Sequence, residues 1–122
     1  MYLVTIQQHF DAAHFIRGYS GKCQRVHGHR WLVQVNVERD HLNHLGMLVD
    51  FGDIKQDLNK ILDEHFDHYL INDLCPFDTL NPTAENIAKF IYDKMKSIFS
   101  FYPKLNSVRI YESPDCYAEY RE

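Results

Sequence analysis

The sequence has 122 residues, 45% of them hydrophobic and 14% aromatic, which is enough for the core of one domain of ordinary size. Its formal net charge of -4 at pH 7 gives no basic field to attract nucleic acid, so an anionic substrate would need a local cluster of cations. No segment approaches the ~20 apolar residues of a membrane helix, and three widely spaced cysteines do not suit a secreted disulfide framework.

The first residues lack the basic start, apolar core and cleavage site of an export signal. We therefore expect a single cytoplasmic domain over residues 1–122, with neither nucleic acid nor a membrane as partner. So short a chain leaves much of its surface exposed unless subunits cover it, which favours a homo-oligomer.

The first predicted element is a strand over residues 4–14, where apolar side chains occupy every second position except Gln8. This period of two puts His14 on the apolar face of the strand. Residues 15–25 contain Gly18, Ser20 and Gly21 among charged side chains, and they are predicted to form a loop that leads to Cys23 and the next strand.

A second strand follows the loop, because large apolar side chains again recur at every second position. Its predicted inward face carries His29, Trp31, Val33, Val35 and Val37. We expect the two strands to pair antiparallel as a long hairpin, with His27 and His29 on the face of Trp31.

Two amphipathic helices and two short strands complete the chain. Apolar spacing predicts a first helix through residues 54–66, with Asp53 favouring its start, and a second over 84–98 with Thr83 as its N-cap. Short strands are predicted at residues 107–112 and 116–120. The ββααββ order indicates an α+β fold with an antiparallel sheet.

A metal site is suggested by the sequence His27-Gly28-His29, because residues two apart on an extended chain point the same way. A bare pair of this kind also arises by chance, but His14 lies in phase on the neighbouring strand. Burying three imidazoles without partners would cost roughly 1–3 kcal/mol each, and a metal would remove that cost. We therefore predict a Zn²⁺ site at His14, His27 and His29.

Cys23 lies four residues before His27, close enough to reach the open side of such a metal. It could be a fourth ligand, which would make the site closed and structural. Alternatively, the thiol stays outside the coordination sphere, near the basic residues Lys22 and Arg25, and serves as an acid or base. The spacing alone does not choose between the two.

Carboxylates are the other candidates for chemistry. Asp67 directly precedes His68 and could orient that imidazole, although both residue types are also common at helix ends. Glu112 is in phase with the apolar residues Val108 and Ile110, and a carboxylate in such a position needs a dedicated donor. An Arg of the protein or an N–H-rich ligand would supply one, and a guanidine-like heterocycle would suit the carboxylate.

Five motifs in the same order resemble the 6-pyruvoyl-tetrahydropterin synthase family from end to end. They are CQRVHGH at 23–29, MLVDF at 47–51, DHYLIN at 67–72, NPTAENIA at 81–88 and ESP at 112–114. The resemblance implies the tunnelling fold, an antiparallel sheet with two helices on one face. It also implies that subunits join their sheets into a barrel and pair trimers into a hexamer, with active sites at the interfaces.

The resemblance also implies roles for residues. His14, His27 and His29 would hold catalytic Zn²⁺, and Cys23 would be the proton-transferring thiol. Asp67 and His68 would form a second acid/base relay. Glu112 would anchor the pterin through its 2-amino and N3 hydrogens, helped by Thr83. No motif for the triphosphate is present, and Lys22 and Arg25 are no more than candidates for binding it.

The implied substrate is 7,8-dihydroneopterin triphosphate, and the implied enzyme is a lyase. The compact chain with short loops and its plain C-x-x-x-H-G-H favour the 6-carboxy-tetrahydropterin branch, which releases acetaldehyde and triphosphate in queuosine biosynthesis. The alternative within the family is formation of 6-pyruvoyl-tetrahydropterin. An alternative of another class is a non-catalytic, zinc-stabilised assembly module in which Cys23 completes a closed site.

Overall fold

The computed structural model of the protein describes residues 1–98 and 103–122. A four-stranded antiparallel sheet and two helices make up the fold. In chain order the elements are β1 (Tyr2–His14), β2 (His27–Arg39), α1 (Phe51–His65), α2 (Ala84–Ile98), β3 (Lys104–Ser113) and β4 (Cys116–Tyr120). One-turn 3-10 helices lie at Lys22–Gln24 and Ile71–Asp73. The predicted α+β class and ββααββ order are confirmed.

The strands follow one another across the sheet in the order β1-β2-β3-β4. All three pairings are antiparallel, and the long β1–β2 hairpin sets Ala12 opposite His29 and His14 opposite His27. The rings of Phe10 and Trp31 stack on its inner face, with centroids 5.7 Å apart. The pairing of β1 with β2 therefore places His14, His27 and His29 at one end of the sheet.

The helices cover the inner face of the sheet, where α1 packs against β1 and α2 against β3 and β4. The side chain of Asp50 caps α1 by accepting from Gly52 N–H at 2.8 Å, and Thr83 Oγ1 caps α2 by accepting from Asn86 N–H at 3.1 Å. The core beneath them consists of Ile54, Leu58, Ile61, Leu62, Phe66, Ile87, Ile91 and Met95 together with the inward residues of the strands.

Element boundaries differ from the predictions at several places. Helix α1 begins at Phe51 rather than near residue 54, because the Asp50 carboxylate satisfies an N–H of the first turn. Strand β1 begins at Tyr2 rather than at residue 4, and β3 runs over Lys104–Ser113 rather than 107–112. In the portion of the chain described here, no helix has the length and apolar character needed to span a membrane.

Candidate active site and metal centre

Three imidazoles lie close together at the end of the β1–β2 hairpin where the connecting loop, residues 15–26, begins. Strand register places His14 opposite His27, and His29 is two residues further along β2. One ring nitrogen from each of the three side chains lies within 4.8 Å of the others. The ring centroids of His14 and His27 are 4.5 Å apart, and those of His27 and His29 are 4.9 Å apart. The geometry therefore presents three nitrogen ligands to one point.

Backbone carbonyls fix the tautomers of two of these rings. Nδ1 of His14 donates to the Pro82 carbonyl at 2.7 Å, and Nδ1 of His27 donates to the Arg25 carbonyl at 2.7 Å. A carbonyl only accepts, so both rings keep a lone pair on Nε2. Among residues 1–98 and 103–122, the Nε2 atoms of His14 and His29 are buried without a hydrogen-bond partner.

The electrostatics also suit a metal ligand. Burial lowers the pKa of His14 to about 4, an effect that the Pro82 carbonyl opposes and the neighbouring imidazoles reinforce. Burial lowers the pKa of His29 as well, while the Glu112 carboxylate acts in the opposite direction. These two rings are therefore neutral at pH 7, which is the state that binds metals. A cluster of three imidazoles, two of them neutral with unpartnered Nε2 atoms, fits a divalent ion such as Zn²⁺.

Glu112 is the acidic neighbour of this cluster. Its Oε2 lies 3.9 Å from Nε2 of His29, and its side chain is 33% exposed. It lies near the end of β3, in phase with the fully buried Val108 and Ile110 as predicted. The distance exceeds that of a hydrogen bond, so the carboxylate keeps its capacity to accept from other donors.

Cys23 lies apart from the histidine ligands. It is exposed, in the 3-10 helix Lys22–Gln24, and its sulfur is not among the ligand atoms that cluster within 4.8 Å. The carbonyl of Cys23 accepts from Ile16 N–H at 2.7 Å, which ties this turn to the chain after β1. Lys22 and Arg25 are exposed in the same loop.

Asp67 and His68 form a pair at the outer edge of β1. Oδ2 of Asp67 is 3.0 Å from Nδ1 of His68, whose side chain is 79% exposed. The backbone of Asp11 holds both residues, because its N–H donates to Asp67 Oδ1 at 3.0 Å and its carbonyl accepts from His68 N–H at 2.7 Å. The Asp11 N–H, with a smaller contribution from His68, holds the pKa of Asp67 below its usual value.

His68 has a φ of 64°, in the left-handed region that non-glycine residues rarely occupy. The bonds from Asp11 hold it there, and such strained residues cluster at functional sites.

The candidate site residues lie on several segments of the chain. His14, His27, His29 and Glu112 lie on the strands, and the pair Asp67/His68 follows α1. Thr83 lies on a third segment, where its hydroxyl oxygen caps α2.

Four groups near the site were not predicted from the sequence: Arg17, Asn72, Asn81 and the carbonyl of Pro82. Nη2 of Arg17 donates to the Phe77 carbonyl at 2.9 Å, and both asparagine side chains bind the backbone of residues 15–17. One sequence feature could have indicated these asparagines: Asn72 ends the motif at 67–72 and Asn81 begins the motif at 81–88. An amide side chain can form the same hydrogen bonds as a peptide group.

Comparisons with known proteins agree with this architecture. A family model described as 6-pyruvoyl tetrahydropterin synthase matches residues 3–122. A 6-carboxy-5,6,7,8-tetrahydropterin synthase of Bacillus subtilis is 37% identical, over 93% of this chain and 80% of that protein. The enzyme of the same name from Rickettsia felis is 34% identical, over 90% of this chain and 93% of that protein.

A solved structure shows the same fold. The 6-pyruvoyl tetrahydropterin synthase of Caenorhabditis elegans superposes with a TM-score of 0.83 at 28% identity, covering 100% of this chain and 97% of that one. This agreement confirms the tunnelling fold implied by the sequence motifs. The family match over nearly the whole chain and the identities of 34% and 37% show that the chain belongs to the 6-pyruvoyl tetrahydropterin synthase family.

Proposed function

We propose that the protein is a 6-carboxy-5,6,7,8-tetrahydropterin synthase. It would convert 7,8-dihydroneopterin triphosphate into 6-carboxy-5,6,7,8-tetrahydropterin, releasing acetaldehyde and triphosphate, and so serve queuosine biosynthesis. The observation that carries the proposal is the cluster of three imidazoles beside the Glu112 carboxylate, in which the Nε2 atoms of His14 and His29 are buried without a hydrogen-bond partner among the described residues. Relatives from Bacillus subtilis and Rickettsia felis that bear this enzyme's name support the choice of reaction.

The proposed cofactor is one Zn²⁺ held by His14, His27 and His29. When bound, it would act as a Lewis acid that binds the side-chain hydroxyls of the substrate and acidifies the adjacent C–H and O–H groups. The chain's own contribution is to orient the ligands. The carbonyls of Pro82 and Arg25 hold two of the rings with Nε2 directed to the cluster.

Proton transfer is assigned to Cys23 and His68. Asp67 accepts from Nδ1 of His68 at 3.0 Å, which leaves Nε2 of that ring to exchange a proton with substrate. Both His68 and the Cys23 thiol are exposed, so a bound molecule can reach them. The Asp67/His68 pair is bound at the outer edge of β1, and the family resemblance implies an active site completed by a neighbouring subunit.

Recognition of the pterin is assigned to Glu112, with help from Thr83. A carboxylate accepts the paired N–H groups of the 2-amino and N3 positions side by side. Glu112 is half-buried, so it would bind these donors partly shielded from water, where charge-assisted hydrogen bonds gain strength. Lys22 and Arg25 remain the candidates for the triphosphate.

A product assay tests the proposal. Zinc-loaded protein is incubated with 7,8-dihydroneopterin triphosphate, and the pterin and acetaldehyde are identified by liquid chromatography and mass spectrometry. We expect 6-carboxy-5,6,7,8-tetrahydropterin and acetaldehyde in equal amounts. Triphosphate release with 6-pyruvoyl-tetrahydropterin and no acetaldehyde would establish the second candidate, which the match to the Caenorhabditis elegans synthase favours. An unchanged substrate would contradict both.

A further inference from the structure

The chain that leaves β1 is held by two side chains rather than by a neighbouring strand. Oδ1 of Asn72 accepts from Phe15 N–H at 2.9 Å, while its Nδ2 donates to the Phe15 carbonyl at 2.9 Å. Asn81 binds Arg17 in the same way, with distances of 2.9 Å from the N–H and 3.0 Å to the carbonyl. Each amide therefore satisfies both peptide groups of one residue, as an adjacent strand would.

The other side of residues 15–17 binds the turn that contains Cys23. Between the two clamped residues, Ile16 N–H points to the other side and donates to the Cys23 carbonyl at 2.7 Å. The N–H groups of Phe15 and Arg17 bind the asparagines, and that of Ile16 binds Cys23, so this short segment is bonded on both sides. Any shift of residues 15–17 moves the Cys23 turn with it.

The same asparagines are connected to the metal ligand His14. Phe15, which Asn72 binds, directly follows His14, and Asn81 directly precedes Pro82, whose carbonyl accepts from His14 Nδ1 at 2.7 Å. The Asn81 carbonyl also accepts from Asn86 Nδ2 at 2.9 Å, which fixes this connection to the first turn of α2. Asn72 is 4% exposed, so water does not replace its bonds when the amide is lost.

We propose that Asn72 and Asn81 are positioning residues for the active site: their amides set the ring of His14 and the turn of Cys23 in one arrangement. Removal of either amide leaves a peptide group of residue 15 or 17 unpaired and frees the contact between His14 and Pro82. The claim for Cys23 rests on the proposed function, whereas the claim for His14 concerns metal binding alone.

Metal affinity provides the first test. The zinc dissociation constants of metal-loaded wild type, Asn72→Ala and Asn81→Ala are measured by competition with a chelator. We expect both variants to bind zinc about 10–100-fold more weakly, the loss typical of disturbed partners of metal ligands. Asn81→Asp, which keeps the acceptor for Arg17 N–H but lacks the donor, should lose less.

Asn36→Ala is the matched control. Asn36 is 4% exposed like Asn72 and makes two side-chain hydrogen bonds, to Thr5 and Ser107. It pairs with Thr5, whereas His14 lies nine positions further along the same ladder, about 30 Å away at 3.3 Å per residue. We expect this variant to lose thermal stability while its zinc affinity stays within about threefold of wild type.

Alkylation provides a readout for Cys23. In a background with Cys75→Ser and Cys116→Ser, the reaction of Cys23 with iodoacetamide should change in rate in both asparagine variants but not in the control. If the asparagine variants lose thermal stability as Asn36→Ala does while keeping wild-type zinc affinity, the residues are merely structural and the proposal is overturned. If Asn72→Ala does not fold, the zinc affinity of Asn81→Asp decides between a positioning role and a merely structural one.

These outcomes are independent of the proposed reaction. A wild-type protein that binds zinc but leaves 7,8-dihydroneopterin triphosphate unchanged would overturn the function. Weaker zinc binding by the asparagine variants would still support their positioning of His14.

Discussion

At the scale of single residues, two backbone carbonyls decide what the histidine rings can do. Because Pro82 and Arg25 occupy Nδ1 of His14 and His27, the remaining lone pairs are on Nε2 and face the cluster. A histidine that only filled a core would have partners for both nitrogens, since leaving a buried acceptor unpaired costs about 1–3 kcal/mol. The unpartnered nitrogens of His14 and His29 are therefore best explained as metal ligands.

Substitution of a ligand should remove the metal. We expect His27→Ala to lose zinc during dialysis against a weak chelator, because two imidazoles bind far less tightly than three. His9→Ala is the control, since His9 is an exposed residue of β1 outside the cluster. Metal analysis that finds one zinc per chain in dialysed His27→Ala would place the ion elsewhere.

Cys23→Ala separates an enzyme from a zinc-stabilised assembly module. Its sulfur lies outside the ligand cluster, so the variant should keep its zinc and its melting temperature. Loss of a positioned acid or base should lower kcat by about 10²–10⁴. Metal content, thermal unfolding and product formation are measured on the same preparation. Joint loss of zinc and stability would instead identify Cys23 as a structural ligand.

Glu112→Gln tests recognition of the pterin. The glutamine keeps the shape of the side chain but sets a donor against the pterin's own donors. The loss of a charge-assisted bond should cost on the order of 2–4 kcal/mol in kcat/KM. Zinc content should remain, since the three nitrogen ligands are unchanged. Wild-type kinetics would refute the assignment, and loss of zinc would mean that Glu112 acts through its neighbour His29.

At the scale of elements, the residues at the start of α2 both cap the helix and contact the candidate metal site. Thr83 caps the helix, and the residue before it supplies the carbonyl that binds His14. Thr83→Ala should lower the free energy of unfolding by about 1 kcal/mol, whereas Thr83→Ser keeps the capping oxygen and should lose only a fraction of that. Urea denaturation measures both. Equal stabilities of the alanine variant and wild type would mean that the cap contributes nothing.

The sequence was informative wherever a repeating pattern has a structural cause. Alternating side chains predicted the hairpin and the shared face of His14, His27 and His29, and helical spacing predicted α1 and α2 with the Thr83 cap. The clamp by Asn72 and Asn81 could not be predicted in this way. It joins irregular segments 57 and 64 residues apart through side-chain bonds, which leave no period in the sequence.

At the scale of the whole molecule, the sheet has two edges that remain available. Among residues 1–98 and 103–122, strand β1 pairs with β2 on one side, and its other side is bound by residues 67–70 only around Asp11 and Ala13. Strand β4 pairs with β3 alone within the described residues. Unpaired edges of this kind invite pairing with another chain.

The apolar surface at the start of β1 leads to the last prediction. Tyr2, Leu3, Met47 and Phe51 are between 38% and 58% exposed and line a groove of about 420 Å³ beside the open edge. Apolar side chains beside an unpaired strand favour a second copy over water. This surface favours self-association, and the resemblance of the sequence motifs to the family implies paired trimers, so we expect a homohexamer in sedimentation velocity at micromolar concentration.

Leu3→Asp should dissociate this assembly, because it sets a charge in the apolar surface at the strand edge without removing a core side chain. Ile98→Asp is the control, since Ile98 is 46% exposed at the end of α2 and does not line this groove. If the metal cluster of one subunit works with the Asp67/His68 pair of another, turnover should fall with the hexamer, while zinc stays bound to the separated subunits. A wild-type monomer with full activity would contradict both the assembly and the shared site, because all the groups would then act within one chain.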